Sequence, residues 1–105
     1  MEVKSWLAQI GCKVKENRFL KPPPFPYIVF HVAEEQRGDD NGIGILEQDI
    51  TIELYSEEMN CGTEEKIQSL LRELKTKYEK RRTWIESETM FQTVYTFHVV
   101  EKTEV

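Results

Sequence analysis

Long apolar runs are absent from this sequence, and so is a recognisable targeting segment. No apolar stretch in the 105 residues approaches the roughly 20 apolar residues that a bilayer-spanning helix needs. Near the amino end, Glu2, Lys4 and Gln9 interrupt the apolar residues, so this segment lacks the core of a signal peptide. We therefore expect an intracellular protein that makes no contact with a membrane.

Cysteine is also scarce. Cys12 and Cys61 are the two cysteines of the chain, and neither belongs to a CxxC pair. Two cysteines are too few for a disulfide scaffold, although a single bridge between them stays open. The simpler interpretation is that both are small buried or half-buried thiols rather than metal ligands or redox groups.

Basic residues are outnumbered by acidic ones. The chain has 14 Lys and Arg against 19 Asp and Glu, which gives a formal net charge of −5 at pH 7. Nucleic-acid binding depends mainly on clustered Lys and Arg that neutralise phosphates. The basic cluster from Lys75 to Arg82 is interrupted by Glu79 and suits the negative end of a helix dipole. We interpret it as a solvated helix end and expect no specific nucleic-acid binding.

Apolar residues at helical spacing predict two helices. Val3, Trp6, Leu7 and Ile10 would share one face of a short amino-terminal helix over residues 2–11. The stronger pattern predicts a second helix from about Glu64 to Tyr78, with Thr63 as its N-cap. Its apolar positions follow one stripe: Ile67, Leu70, Leu71, Leu74 and Tyr78.

A proline-rich connector covers residues 15–26. Four of the five positions from Pro22 to Pro26 are prolines, which lack a backbone donor and favour an extended path. We interpret the tract as a rigid lead-in that delivers Tyr27 into a strand. A partner-binding PxxP segment is the alternative.

Alternating side chains predict a sheet after this connector. The four predicted strands are Tyr27–Val32, Leu46–Glu57, Thr83–Ser87 and Phe91–Glu101. Glu34 to Gly44 is polar and rich in glycine, so it is predicted to be a long loop. The fold class is therefore α+β, a four-stranded, mainly antiparallel sheet with helices packed on it, in the order α-β-β-α-β-β. Residues 1–105 would form a single domain with its α/β core in 27–102.

The residue types that carry chemistry form no recognisable constellation. His31 and His98 lie on predicted strands, without a third zinc ligand or a nucleophile motif nearby. Glu86 and Glu88 are more simply solvated strand residues than an acid–base pair. The acidic loop lacks the alternating ligand positions of an EF-hand. We predict no enzymatic activity, no metal site and no cofactor.

Both faces of the predicted sheet carry apolar residues. The surplus over one helix-covered face consists of Tyr27, Val29, Val94, Val100 and Tyr55. The first helix could cover part of this surplus, and a subunit interface could cover the rest, since exposed apolar patches mark interaction sites. The pattern favours a homo-oligomer.

Several segments resemble small tail-morphogenesis proteins of phages and prophages of Gram-positive bacteria. The resemblance is to tail-terminator, tail-completion or head-to-tail joining proteins, and it covers about residues 20–102. The segments that carry it are PFPYIVF at 24–30, QDITIELY at 48–55, EKIQSLL at 65–71 and ETMFQTVYTFHVVEK at 88–102.

The resemblance implies a structural subunit that forms a ring, commonly a hexamer, at the end of the tail tube. Its partners would be other copies and other phage tail or head-connector proteins. It would occupy the bacterial cytoplasm during assembly and then the virion tail. The assembly contacts would lie in the long loop, at Arg37, Asp39, Asp40, Asn41 and Ile43. The residues by themselves leave one alternative, a small protein- or peptide-binding or regulatory module.

Overall fold

One mixed sheet organises the protein. The computed structural model describes residues 1–38 and 42–104, and in this part of the chain five strands lie in the order β1-β2-β3-β5-β4. The strands are β1 Lys13–Glu16, β2 Tyr27–Gly38, β3 Ile43–Ser56, β4 Tyr78–Ile85 and β5 Met90–Glu104. The α-helices are α1 Val3–Ala8 and α2 Cys61–Leu74.

Two antiparallel hairpins form most of the sheet, as predicted. β2 pairs with β3, β4 pairs with β5, and β3 and β5 lie side by side as the central antiparallel pair. The α+β class is therefore confirmed, with helices packed on the sheet.

The prediction of four strands was wrong, because β1 adds a fifth, parallel strand beside β2. Lys15 and Glu16, the second half of β1, fall within the connector predicted over residues 15–26. Its sequence, KVKE, has one apolar residue, Val14, so no alternation marks it as a strand. Docking against β2, rather than its own side-chain pattern, makes this segment extended.

The predicted extent of the long loop was also wrong. β2 continues to Gly38 and β3 begins at Ile43, so most of the predicted loop from Glu34 to Gly44 belongs to the strands. Ala33–Gly38 are all exposed, which removes the apolar alternation on which the prediction of a strand depends. The backbone ladder between β2 and β3 supports this polar segment instead.

α2 begins and ends earlier than predicted. The Asn60 side chain accepts a hydrogen bond from the Thr63 amide at 3.0 Å, so Asn60 is the N-cap and Thr63 lies inside the helix. The helix ends at Leu74 because Lys75 adopts a left-handed conformation with φ of 55°. Tyr78 therefore opens β4 instead of extending the helical stripe.

This early stop moves the basic cluster from a helix end to a strand. Lys80, Arg81 and Arg82 belong to β4, which runs from Tyr78 to Ile85 rather than from Thr83 to Ser87. A short 3₁₀ turn, Glu86–Glu88, then leads into β5.

The core lies between the helices and one face of the sheet. Both helices pack on this face, including α1, so the first helix does not cover the surplus apolar side chains of the other face. Tyr27 and Val29 are nevertheless buried there, whereas Val100 is exposed. Trp6 of α1, for example, packs against Phe97 of β5 with ring centroids 5.7 Å apart. The buried cluster consists of Val3, Leu7, Ile10, Ile28, Phe30, Ile50, Ile52, Leu54, Ile67, Leu70, Leu71, Tyr95 and Phe97. Within the described residues, no helix is long and apolar enough to cross a membrane.

Candidate assembly surface

The sheet face opposite the helices, here called the open face, begins with an aromatic cluster. Tyr27 of β2 stacks on Tyr55 of β3 with ring centroids 5.1 Å apart, and on Phe25 at 5.7 Å. Phe19 contacts Tyr27 edge-on at 5.5 Å. The connector therefore folds over one end of the open face, and it leaves Tyr27 and Val29 only 7% and 6% exposed.

A polar network follows this cluster on the open face. The Tyr55 hydroxyl donates to Glu53 at 2.6 Å and accepts from the Gln92 amide at 2.9 Å. Burial and then the bond to Glu53 raise the pKa of Tyr55 to about 12, so its hydroxyl remains a donor at physiological pH. The network fixes β3 against β5 on the side that no described helix covers.

The two histidines lie on opposite sides of β3. His31 of β2 is 2.8 Å from Glu53, and His98 of β5 is 2.7 Å from Asp49. The turn Glu86–Glu88 lies beyond the Met90 end of β5, so the structure does not bring these carboxylates to either histidine. Among the described residues, no three His, Cys, Asp or Glu side chains are grouped as metal ligands. Cys12 is half-buried as predicted, but the same prediction was wrong for Cys61, which is exposed, and the two are not bonded.

The far end of the sheet is a three-stranded arm, formed by residues 33–38 of β2, 43–49 of β3 and 98–104 of β5. Arg37 crosses the hairpin and donates to Glu47 at 2.7 Å. Of the predicted assembly residues, Arg37 is exposed at the end of β2. Ile43 opens β3 opposite Glu104, but its side chain is outside the described residues, as are Asp39, Asp40 and Asn41 altogether.

Two strand edges remain free in the described part of the chain. β1 pairs only with the first four residues of β2, so the outer edge of β2 is open from His31 to Gly38. The outer edge of β4 is open along its whole length, Tyr78 to Ile85. Sequence reasoning missed both edges, because it had assigned one segment to a loop and much of the other to a helix end. Open edges present unpaired backbone groups that can accept another strand.

A buried carboxylate fixes β4 against α2. Glu64, 3% exposed, accepts hydrogen bonds from Lys80 and from Arg82, both at 2.9 Å, and from the Thr93 hydroxyl at 2.8 Å. The Arg82 guanidinium, with Lys80 and Thr93, lowers the pKa of Glu64 to about 2, even though burial opposes this shift. The first turn of α2 therefore holds the edge strand through an ion pair that remains charged at neutral pH.

A shallow groove lies beside the proline tract. It has a volume of about 360 Å³ and is lined by Phe25, Pro26, Glu57, Glu58 and Met59, among others. Phe25 is 40% exposed and Met59 56% exposed. The groove thus combines apolar surface with two carboxylates.

Comparison with known proteins gives a shared fold. No protein-family model and no curated protein matches the chain. A solved structure of the virion of a native gene transfer agent particle contains a similar chain, 13% identical, with a TM-score of 0.54. The alignment covers 92% of this chain and 84% of that one. At this identity the likeness shows that the two chains share a fold, and nearly all of the present chain takes part in it.

Proposed function

We propose that the protein is a structural subunit of a phage-like particle, of the kind that forms a ring at the end of the tail tube. The observation that carries the proposal is the fold that it shares, over nearly its whole length, with a chain of a gene transfer agent virion. The resemblance of its segments to tail-terminator proteins supports the more specific role.

The surfaces of the molecule fit an assembly role. The open face keeps Val100 exposed, although Tyr27 and Val29 are buried there, and the arm extends the sheet to give the molecule a longest dimension of 52 Å. Two free strand edges add backbone donors and acceptors. These are surfaces for other protein chains, and we propose that no chemistry is catalysed on them.

The solution mass tests this proposal directly. Size-exclusion chromatography with light scattering, over a concentration series, should give about six times the chain mass of 12.4 kDa if a hexameric ring forms. Negative-stain images of the same fractions should show closed rings.

A tail-tube assay covers the case in which ring formation needs a template. Purified tail tubes from a phage-like particle, incubated with the protein, should carry it at one end and stop elongating. A chain that stays monomeric and leaves tube length unchanged would contradict the proposal.

The groove beside the proline tract favours a second candidate, a peptide-binding module. Its carboxylates, Glu57 and Glu58, would select a basic peptide, and Phe25 and Met59 would contact apolar side chains. Binding of such a peptide by a monomer, abolished by Met59→Glu but not by Trp84→Glu at another exposed position, would support this candidate over the ring.

A further inference from the structure

The two free edges of the sheet match each other in length and differ in charge. β2 has twelve residues, of which the first four pair with β1, so eight remain open. β4 also has eight. The open part of β2 carries Glu34, Glu35 and Arg37 and is net acidic, whereas β4 carries Glu79, Lys80, Arg81 and Arg82 and is net basic. Each edge would repel a second copy of itself but attract the other edge.

The strand directions allow the two edges to join between copies. β2 runs antiparallel to β3, β3 to β5, and β5 to β4, so β4 points opposite to β2. A second copy placed beside the first in the same orientation therefore brings its β4 antiparallel to the free edge of β2. We propose that β4 of one copy adds to the His31–Gly38 edge of β2 in the next copy, so that one sheet continues from subunit to subunit.

End-to-end alignment of the two segments brings opposite charges together. If Tyr78 lies opposite Gly38 and Ile85 opposite His31, each residue on β4 gains a defined neighbour. Arg81 then lies opposite Glu35, and neither residue has another ion-pair partner among the described residues. Glu79 lies opposite Arg37 and Arg82 opposite Glu34, although Arg37 also pairs with Glu47 and Arg82 with Glu64 within the copy. Lys80 faces the neutral Gln36, and Trp84 faces Val32. Opposite-charge and apolar pairs at such positions stabilise antiparallel strands.

Registers shifted by one or two residues from this one are less favourable. A shift of one residue would place the helix-covered face of one copy beside the open face of the next, because side chains alternate between faces. A shift of two residues would put Arg81 opposite Arg37 in one direction and Glu79 opposite Glu35 in the other. The charges therefore select one register.

Symmetric pairing is also disfavoured. Two copies of the β2 edge, aligned antiparallel with their faces matched, would place Glu34 against Glu34 or Glu35 against Glu35, and two copies of β4 would place Arg81 against Arg81 or Arg82 against Arg82. Head-to-tail contacts of the favoured kind produce rings or open filaments rather than two-fold dimers.

The same register gives a geometry suited to closure. Within one sheet, Tyr78 lies level with Val32 through Phe97 and Ile50. Pairing with Gly38 of a neighbour displaces that neighbour by six residues, or about 20 Å along the strands. Each copy adds four strands to the continuous sheet, since β1 pairs with a different part of β2, and four strands span about 19 Å. The two displacements imply a strand tilt of about 45° for a flat ring, at the upper end of the usual range for closed barrels.

Charge reversal tests the pairing. Arg81 and Glu35 are both exposed, and neither belongs to the ion pairs among the described residues. Arg81→Glu or Glu35→Arg alone should weaken association on the order of tenfold or more, since like charges then face each other. The double variant should recover the native assembly. Single variants that assemble as well as the native chain would overturn the proposal.

Disulfide trapping tests the same contact even where association is weak. Ala33 and Thr83 are exposed and would face each other across the junction. In a background with Cys12→Ser and Cys61→Ser, the variant Ala33→Cys/Thr83→Cys should give a ladder of oligomers on oxidation. The matched control, Ala33→Cys/Thr96→Cys, keeps one cysteine off the edge and should give none.

Mixing the single-cysteine variants separates the two symmetries. After oxidation, A33C mixed with T83C should give disulfide-linked dimers and nothing larger. A33C alone should form no disulfide-linked species. Dimers of A33C alone would indicate symmetric pairing, and the absence of a ladder from the double variant would also overturn the proposal.

The proposal rests on the assembly role proposed above, but the two can fail separately. Rings whose edges do not cross-link would contradict only the proposed strand pairing. Cross-linked open chains that never cap a tail tube would contradict only the proposed ring function.

Discussion

Glu64 is the residue whose removal we expect to affect the isolated chain most clearly. It is a buried carboxylate with two cationic partners on β4 and a hydroxyl partner on β5. Glu64→Gln keeps the size of the side chain but removes the charge. We expect it to lower the free energy of unfolding by about 2 kcal/mol, because hydrogen bonds to charged groups are the stronger kind.

Urea unfolding at pH 7 measures this effect, with Glu65→Gln as the matched control. Glu65 lies in the same helix but is exposed and pairs with Arg72 at the surface, where ion pairs contribute little. An equal loss in the two variants would mean that the buried network has no special role.

The stabilisation by Glu64 should depend on pH in a defined window. Its folded pKa, about 2, lies below the ordinary value of 4.5. A depressed pKa stabilises the fold above the unfolded value and ceases to do so as the pH falls through the folded value. The difference in unfolding free energy between the native chain and Glu64→Gln should therefore be constant above about pH 5 and shrink between there and pH 2. A difference that grows on acidification would contradict this assignment.

Capping at the end of a helix stabilises it in addition to packing in the core. The Asn60 side chain caps α2 through the Thr63 amide, so Asn60→Ala should cost about 1 kcal/mol. Asn60→Asp retains a capping oxygen and should be nearly neutral. Thermal unfolding of the two variants side by side measures the difference, and equal midpoints would show that the cap does not matter here.

Prediction from sequence found helix α2 but misplaced the ends of several elements. The stripe Ile67, Leu70 and Leu71 correctly indicated α2, since burial of one helix face imposes its spacing on the sequence. Tyr78 fits that spacing by coincidence. No residue near Lys75 predicts the left-handed backbone conformation that ends the helix there. The outer half of β2 was missed for a related reason, because Ala33–Gly38 are exposed on both faces and leave no apolar alternation.

The assembly contacts stay a prediction. Arg37 lies exposed at the arm, and its place on a free strand edge could not be read from the chain. The β4 edge was missed, because its charges, from Glu79 to Arg82, were interpreted as a helix end. Whether a strand lies at a free edge depends on the order of strands in the sheet. The side-chain pattern of a single segment does not predict that order.

Under the proposed assembly, the whole molecule should become more stable as copies associate. Association binds the folded chain and not the unfolded one, so it raises the apparent stability with protein concentration. We expect the thermal midpoint of the native chain to rise over a hundredfold concentration range, and that of Arg81→Glu to rise much less. Calorimetric scans of both proteins measure this, and parallel concentration dependence would show that the β4 edge takes no part.

The sequence alone determined the α+β class, the two helices, the two hairpins and the surplus of apolar side chains on a second sheet face. These features follow from the period with which each segment buries its side chains, and that period is written locally. Tertiary structure decided the parallel docking of β1, the length of the arm and the two complementary edges. Those depend on backbone hydrogen bonds between segments far apart in the chain, and backbone groups are the same in every residue except proline.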